Sequence, residues 1–143
     1  MQKRRQPESL RLRAATPAIT ASDLQASVAW YRDVLGFTVD EEYEEDGVLR
    51  GVSLKAGDVV FLLTQDDFAK GRDRLKGLGL RFYCTTAQDV DVLAAEIGAR
   101  GGELAQAPTD QPWGSRDFAV VDPDGFAVSI SSEIGGRPPP AED

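Results

Sequence analysis

The sequence predicts an α+β fold made of two tandem βαβββ modules. Three observations carry that prediction. Asp23 and Asp89 stand 66 residues apart, and each heads a stripe of apolar residues at helical spacing. Around each stripe the same order recurs: one β-prone run before it and three after it, with turn signals between them. The chain has 143 residues, too few for two full-size domains, and one βαβββ unit is too small to close a core alone.

In the first module, residues 16–20 form a short β-prone run. Ser22-Asp23-Leu24-Gln25 has capping-box spacing at a helix start. Leu24, Val28, Tyr31 and Leu35 then share one helical face, and Gly36 stops the helix because it tolerates positive φ. Strands are expected at 37–43, 49–54 and 59–64, divided by the Asp46-Gly47 and Gly57-Asp58 turns. The stretch from Gln65 to Gly79 is polar and is expected to hold a short helix. The second module opens with a strand at 82–86. A helix from Asp89 follows, with Val90, Leu93 and Ile97 on one face, and Gly101-Gly102 ends it. Strands at 103–106, 117–121 and 126–130 complete it, the last two separated by Asp122-Pro123-Asp124-Gly125.

Composition narrows the chemistry. There are no histidines, which excludes a Ser/His/Asp triad, a Cys–His pair and any His-bearing metal site. The net charge is −8, unevenly spread: residues 1–14 hold five basic side chains and one acid, leaving the rest at −12. A body this acidic repels nucleic acid and anionic membrane surfaces and favours a cationic small molecule or basic partner. Cys84 is the only cysteine, so no intramolecular disulfide forms and a reducing, cytoplasmic setting fits. Residues 1–14 are expected to be a mobile basic arm, 15–132 the folded domain (modules about 15–64 and 80–132) and 133–143 a disordered tail. No apolar run is long enough to span a bilayer, and no apolar stretch follows Arg5 to make a secretory signal.

Three segments carry a family resemblance. DLQASVAWYRDVLGFTV (23–39) resembles the first helix of the vicinal-oxygen-chelate superfamily, also called the glyoxalase/bleomycin resistance protein/dioxygenase superfamily. DPDGFAVSI (122–130) resembles that superfamily's final turn and strand, and PWGSRDF (112–118) is similar to the preceding segment in bleomycin-resistance-type members. The resemblance implies that each module curls into a sheet whose concave face helps form a ligand cleft, commonly in a homodimer. An isologous dimer is also the commonest oligomer on general grounds.

Metal-using members place a His on the first strand of a module and a carboxylate on its last. By that resemblance Thr16 and Phe82 stand where the His residues would be and Ser129 where the Glu would be, while residues 59–64 hold no carboxylate. Two neutral hydroxyls do not hold a catalytic metal, so no metal or other cofactor is expected, and glyoxalase or dioxygenase activity is not. The resemblance is closest to the metal-free bleomycin-resistance type.

The expected cleft is mostly apolar with a few hydroxyls: Thr16, Phe61, Leu63, Phe82, Cys84 and Ser129, with Thr86 on the face of Phe82 and Trp113 as a lid or stacking platform. Phe61, Leu63 and Phe82 read equally well as core. Six carboxylates between Asp40 and Asp46 read as a solvated edge strand or as an acidic rim for a cation. One of Arg50, Arg81 and Arg116 is placed to grip an anion, or pairs with nearby acids. The leading function is metal-free binding of a small, aromatic or cationic organic molecule, as in drug resistance. The alternatives are a metal-independent lyase or isomerase using Cys84, Tyr83 or Glu41, and an interaction module recruited through the basic arm.

Overall fold

Two sheets with the same strand permutation carry the chain. The computed structural model describes residues 9–133. In the first module β1 (Ala18–Ala21) leads into α1 (Leu24–Ala29), followed by β2 (Thr38–Glu45), β3 (Val48–Ala56) and β4 (Val59–Gln65). In the second, β5 (Arg81–Thr85) leads into α2 (Val90–Ala99), followed by β6 (Leu104–Asp110), β7 (Ser115–Val121) and β8 (Ala127–Glu133). The sheet orders are β1-β4-β3-β2 and β5-β8-β7-β6, and in each the first strand runs parallel to the last. The fold is therefore two tandem βαβββ modules. Residues 9–14 lie exposed without helix or strand; the rest of the expected arm, and the expected tail beyond Glu133, fall outside the described residues. Glu133 itself still belongs to β8.

Both helices begin where an aspartate satisfies free backbone N–H groups. The Asp23 carboxylate accepts from the Ala26 amide, and that of Asp89 from the amides of Asp91 and Val92. Asp23, and not Ser22, is the cap; the Ser22 hydroxyl donates instead to Asp124 Oδ1 at 2.6 Å. After Ala29 the first helix widens into a π-helical stretch, Trp30–Leu35. The amides of Gly36 and Phe37 both donate to the Tyr31 carbonyl, with Gly36 at φ 99°, so the chain leaves the helix at once. Helix α2 closes with paired bonds, Gly101 N–H to the Gly98 carbonyl and Gly102 N–H to that of Ile97.

The helices cover one face of each sheet. Ile19, Val52, Leu54, Phe61 and Leu63 from the first sheet meet Phe118, Val120 and Val128 from the second, together with Leu24, Val28, Val90 and Ile97 from the helices. Tyr31 sits fully buried among them, edge-on to Phe37 and Phe61, while Phe82 bridges Phe61 and Phe126. Each fully buried large side chain contributes roughly 1.5–3 kcal/mol by removal from water.

The segment between the modules holds no helix, against expectation. Asp66 and Asp67 spend their carboxylates on the amides of Phe68 and Ala69, and Phe68 and Gly71 adopt positive φ, which breaks any helical run. Its fixed point is Lys76, buried with Nζ 2.9 Å from Asp66 and 3.3 Å from Asp124 and donating to the Ser22 hydroxyl at 3.1 Å. Gly77 passes so close to Gly125 that any Cβ there would lie 2.0 Å from the Gly125 carbonyl oxygen.

Two predictions follow from these contacts. The hydrogen bonds from Lys76, from the Phe68 amide and from Arg74 pull the Asp66 carboxyl down to about 2. A depressed acid stabilises the fold above its unfolded value near 3.9, and that contribution is lost as pH falls toward 2. Lys76→Met should therefore lower Tm at pH 7 and flatten the dependence of stability on pH between about 5 and 2, followed by thermal unfolding across that range. Tyr31→Phe removes the bond that the Tyr31 hydroxyl donates to Asp122 at 2.9 Å inside the core. It should cost about 1–3 kcal/mol in urea unfolding, because Asp122 stays buried with one donor fewer.

Candidate functional site

Strand alternation divides the second sheet into two chemically different faces. Phe82, Cys84, Phe118, Val120, Val128 and Ile130 pack toward the helices. The opposite face carries Arg81, Tyr83 and Thr85 from β5, Ser129 and Ser131 from β8, and Ser115 and Asp117 from β7. Register sets Tyr83 beside Ser129 and Ala119, and Thr85 beside Ser131 and Asp117. Among the described residues no helix covers this face.

Its polar groups form a connected network. The Tyr83 hydroxyl donates to Asp117 Oδ2 at 2.7 Å, while the side-chain amides of Gln106 and Gln111 donate to Oδ1 at 3.1 and 2.8 Å. Three neutral donors thus hold a buried carboxylate, with no cation on it among the described residues. One row away Arg81 Nη1 donates to Ser129 Oγ at 2.9 Å. Arg81 and Tyr83 are exposed, whereas Asp117, Ser129 and Ser131 are buried, so the face has a fixed floor and an accessible β5 side. Farther along β7, Ser115 Oγ is buried without a hydrogen-bond partner among the described residues.

The residues singled out from the sequence distribute differently from expectation. Ser129 lies on the open face, and Phe82 and Cys84 do share a face, as alternation requires, but it is the helix-covered one. Thr16, Phe82 and Ser129 were expected at equivalent inward positions; Phe82 instead packs between Phe61 and Phe126, and Thr16 is exposed ahead of β1. Phe61 and Leu63 are buried core side chains. Trp113 stands largely exposed in the turn joining β6 to β7. Burial pushes the Cys84 thiol up, away from the thiolate a nucleophile needs. Arg116 is committed to Asp91 at 2.9 Å and Asp110 at 2.8 Å.

The acidic run forms β2, exposed along its whole length at the outer edge of the first sheet. A bulge between Val39 and Glu41 puts Val39 opposite core-facing Leu54 but Glu41 opposite Ser53, so Val39 does not share the face of Glu41 and Tyr43 as strict alternation predicts. Among the described residues no cluster of His, Cys, Asp and Glu is arranged to hold a metal ion. The residues that sequence reasoning missed here are Asp117, Gln106, Gln111 and Ser131. The signal was present in the alternation of Ser129, Ser131 and Glu133 with Val128 and Ile130.

A family model for the glyoxalase/bleomycin resistance protein/dioxygenase superfamily matches residues 13–130. The chain belongs to this superfamily. Solved structures of similar fold include TioX from Micromonospora sp. ML1, at 21% identity and TM-score 0.68, covering 83% of this chain and 97% of that one. A glyoxalase/bleomycin resistance protein/dioxygenase from Nocardioides matches at 19% identity and TM-score 0.70, covering 96% and 93%. A virulence protein from Salmonella typhimurium matches at 21% and 0.66, covering 87% and 99%. These likenesses establish the fold of the superfamily member described here. Comparison with curated proteins finds no match.

Ser115 offers a direct check of the open face. Its buried hydroxyl lacks a partner among the described residues, so Ser115→Ala should raise stability by about 1 kcal/mol in chemical denaturation, whereas most truncations of buried residues lower it.

Proposed function

We propose that this superfamily member binds a small organic molecule on the open face of the second sheet. The observation that carries the reading is the built polar floor: Asp117 held by Tyr83, Gln106 and Gln111, beside Ser129 held by Arg81. Side chains locked in this way present a pre-organised set of donors and acceptors, and ordering costs that a ligand would otherwise meet are already spent in folding. A sheet face that bears buried polar groups but no helix suits a ligand, a second subunit or both. In this reading the protein acts as a homodimer in which a second copy closes the cleft.

The reading favours binding over metal chemistry because the chain holds no histidine and, among the described residues, no Cys, Asp and Glu side chains cluster to hold a metal ion. The expected preference for a cationic compound has less support. The acidic strand lies at the far edge of the other sheet, and the exposed charge on the open β5 side is the Arg81 cation.

A second reading, a metal-independent lyase or isomerase, has one observation in its favour. The exposed Tyr83 hydroxyl lies 2.7 Å from the Asp117 carboxylate, close enough for a proton to pass between them when a substrate proton is moved.

A fragment library screened by thermal shift, with hits mapped by amide NMR, tests the proposal. Hits should perturb the amides of Tyr83, Asp117, Ser129 and Ser131, and Ser129→Val should weaken them at least about fivefold, the worth of one good hydrogen bond. Hits that perturb none of these amides would sink it. Slow conversion of a bound fragment, abolished in Tyr83→Phe, would move the second reading ahead of the first.

A further inference from the structure

A groove of about 520 Å³ runs beside the open face, between the segment that joins the modules and the turn before β8. Its lining includes Leu75, Leu78, Leu80, Arg81 and Ala127. Three leucines in one short segment stand 77%, 79% and 45% exposed, an uncovered apolar wall of the kind that marks a binding surface. The size falls within the usual range for small-molecule sites.

The charges along the groove are unequal in what they have left to offer. Lys76 and Asp124 also line it, but Lys76 Nζ is held by Asp66 at 2.9 Å and by Asp124 at 3.3 Å. The Asp124 carboxylate further accepts from the Ser22 amide and hydroxyl and from Ser27 Oγ. Arg81 has only the neutral Ser129 hydroxyl and forms no ion pair among the described residues. The groove therefore joins an apolar wall to one guanidinium that no carboxylate among the described residues pairs.

We infer that this groove binds an amphiphilic anion, with its carboxylate or equivalent head on Arg81 and its apolar tail along Leu75, Leu78 and Leu80. A guanidinium offers a carboxylate two parallel N–H donors, and the leucines gain by losing contact with water. The site adjoins the proposed cleft and shares Arg81 with it, but does not depend on ligand binding to the polar floor.

The test uses the full-length chain, ¹⁵N-labelled, titrated with octanoate, 1-octanol and octylammonium at one ionic strength. Octanoate should shift the amides of Gly77, Gly79, Leu80, Gly125 and Ala127 and bind about tenfold tighter than octanol, as a charge-assisted hydrogen bond allows. Arg81→Gln should abolish that margin, and Leu78→Ser, at an exposed position, should weaken octanoate and octanol alike by about threefold. Equal affinity for the three probes, or a margin that survives Arg81→Gln, overturns the inference. So do octanoate shifts confined to Thr85, Asp117 and Ser131, which would leave the polar-floor reading standing, and the absence of any octanoate-dependent shift.

Discussion

The four-residue turn Asp122-Pro123-Asp124-Gly125 is the constraint on which the arrangement of the two modules rests. Asp122 Oδ1 accepts from the amides of Asp124 and Phe126, which shapes the turn, while its Oδ2 takes the Tyr31 hydroxyl from the other module at 2.9 Å. Asp124 reaches the start of α1 through Ser22 and Ser27 and meets the joining segment through Lys76. One turn thus ties both modules and the segment between them. Burial pushes the Asp122 carboxyl up and, with Asp122 beside it, drives the Tyr31 phenol far above its ordinary value, so that hydroxyl stays a donor at any accessible pH. Asp124, with Ser22 and Lys76 donating to it, titrates below the usual range and stays charged. The two aspartates of one turn are set to different tasks by their surroundings.

This arrangement gives the family motifs a physical meaning. YRDVLGF and DPDG lie about ninety residues apart in the sequence, yet Tyr31 of the first and Asp122 of the second form one buried hydrogen bond. The motifs identify the fold because they are parts of a joint, and a joint carries little information about ligand. The polar side chains of the candidate site sit on strands outside this joint, so the joint does not fix the ligand.

Much of the fold was legible in the sequence for reasons that are local. Asp23 and Asp89 cap helices, Gly36 and Gly101 end them, and the three strands after each helix lie within a few residues of the turn signals that bound them. The site was harder to read because it depends on parity. A one-residue difference in register exchanges the two faces of a strand. Aligning Phe82 with Ser129 put a core side chain into the cleft, whereas Arg81 and Tyr83 on either side of it face outward with Ser129. Hydrophobicity alone already favours the observed parity in β5 and β8, since Phe82, Cys84, Val128 and Ile130 make one apolar face. Other features lay beyond local reasoning. The bulge in β2 and the union of Gln106, Gln111 and Tyr83 on Asp117 arise from pairing across strands.

Charge shows the same contrast between sum and place. A body at −12 argues for cationic ligands only if its carboxylates stand where the ligand does. Here the densest run is spread along an exposed edge strand of the first sheet, where salt screens it over a distance of about 8–10 Å. In the second module Asp117 is buried under three neutral donors, and Asp124, in the turn before β8, is balanced by Lys76. What an approaching molecule meets at the exposed end of β5 is the Arg81 guanidinium and the Tyr83 hydroxyl. Local pairing, and not net charge, decides which sign of charge this surface presents, and at the exposed end of β5 that sign is positive.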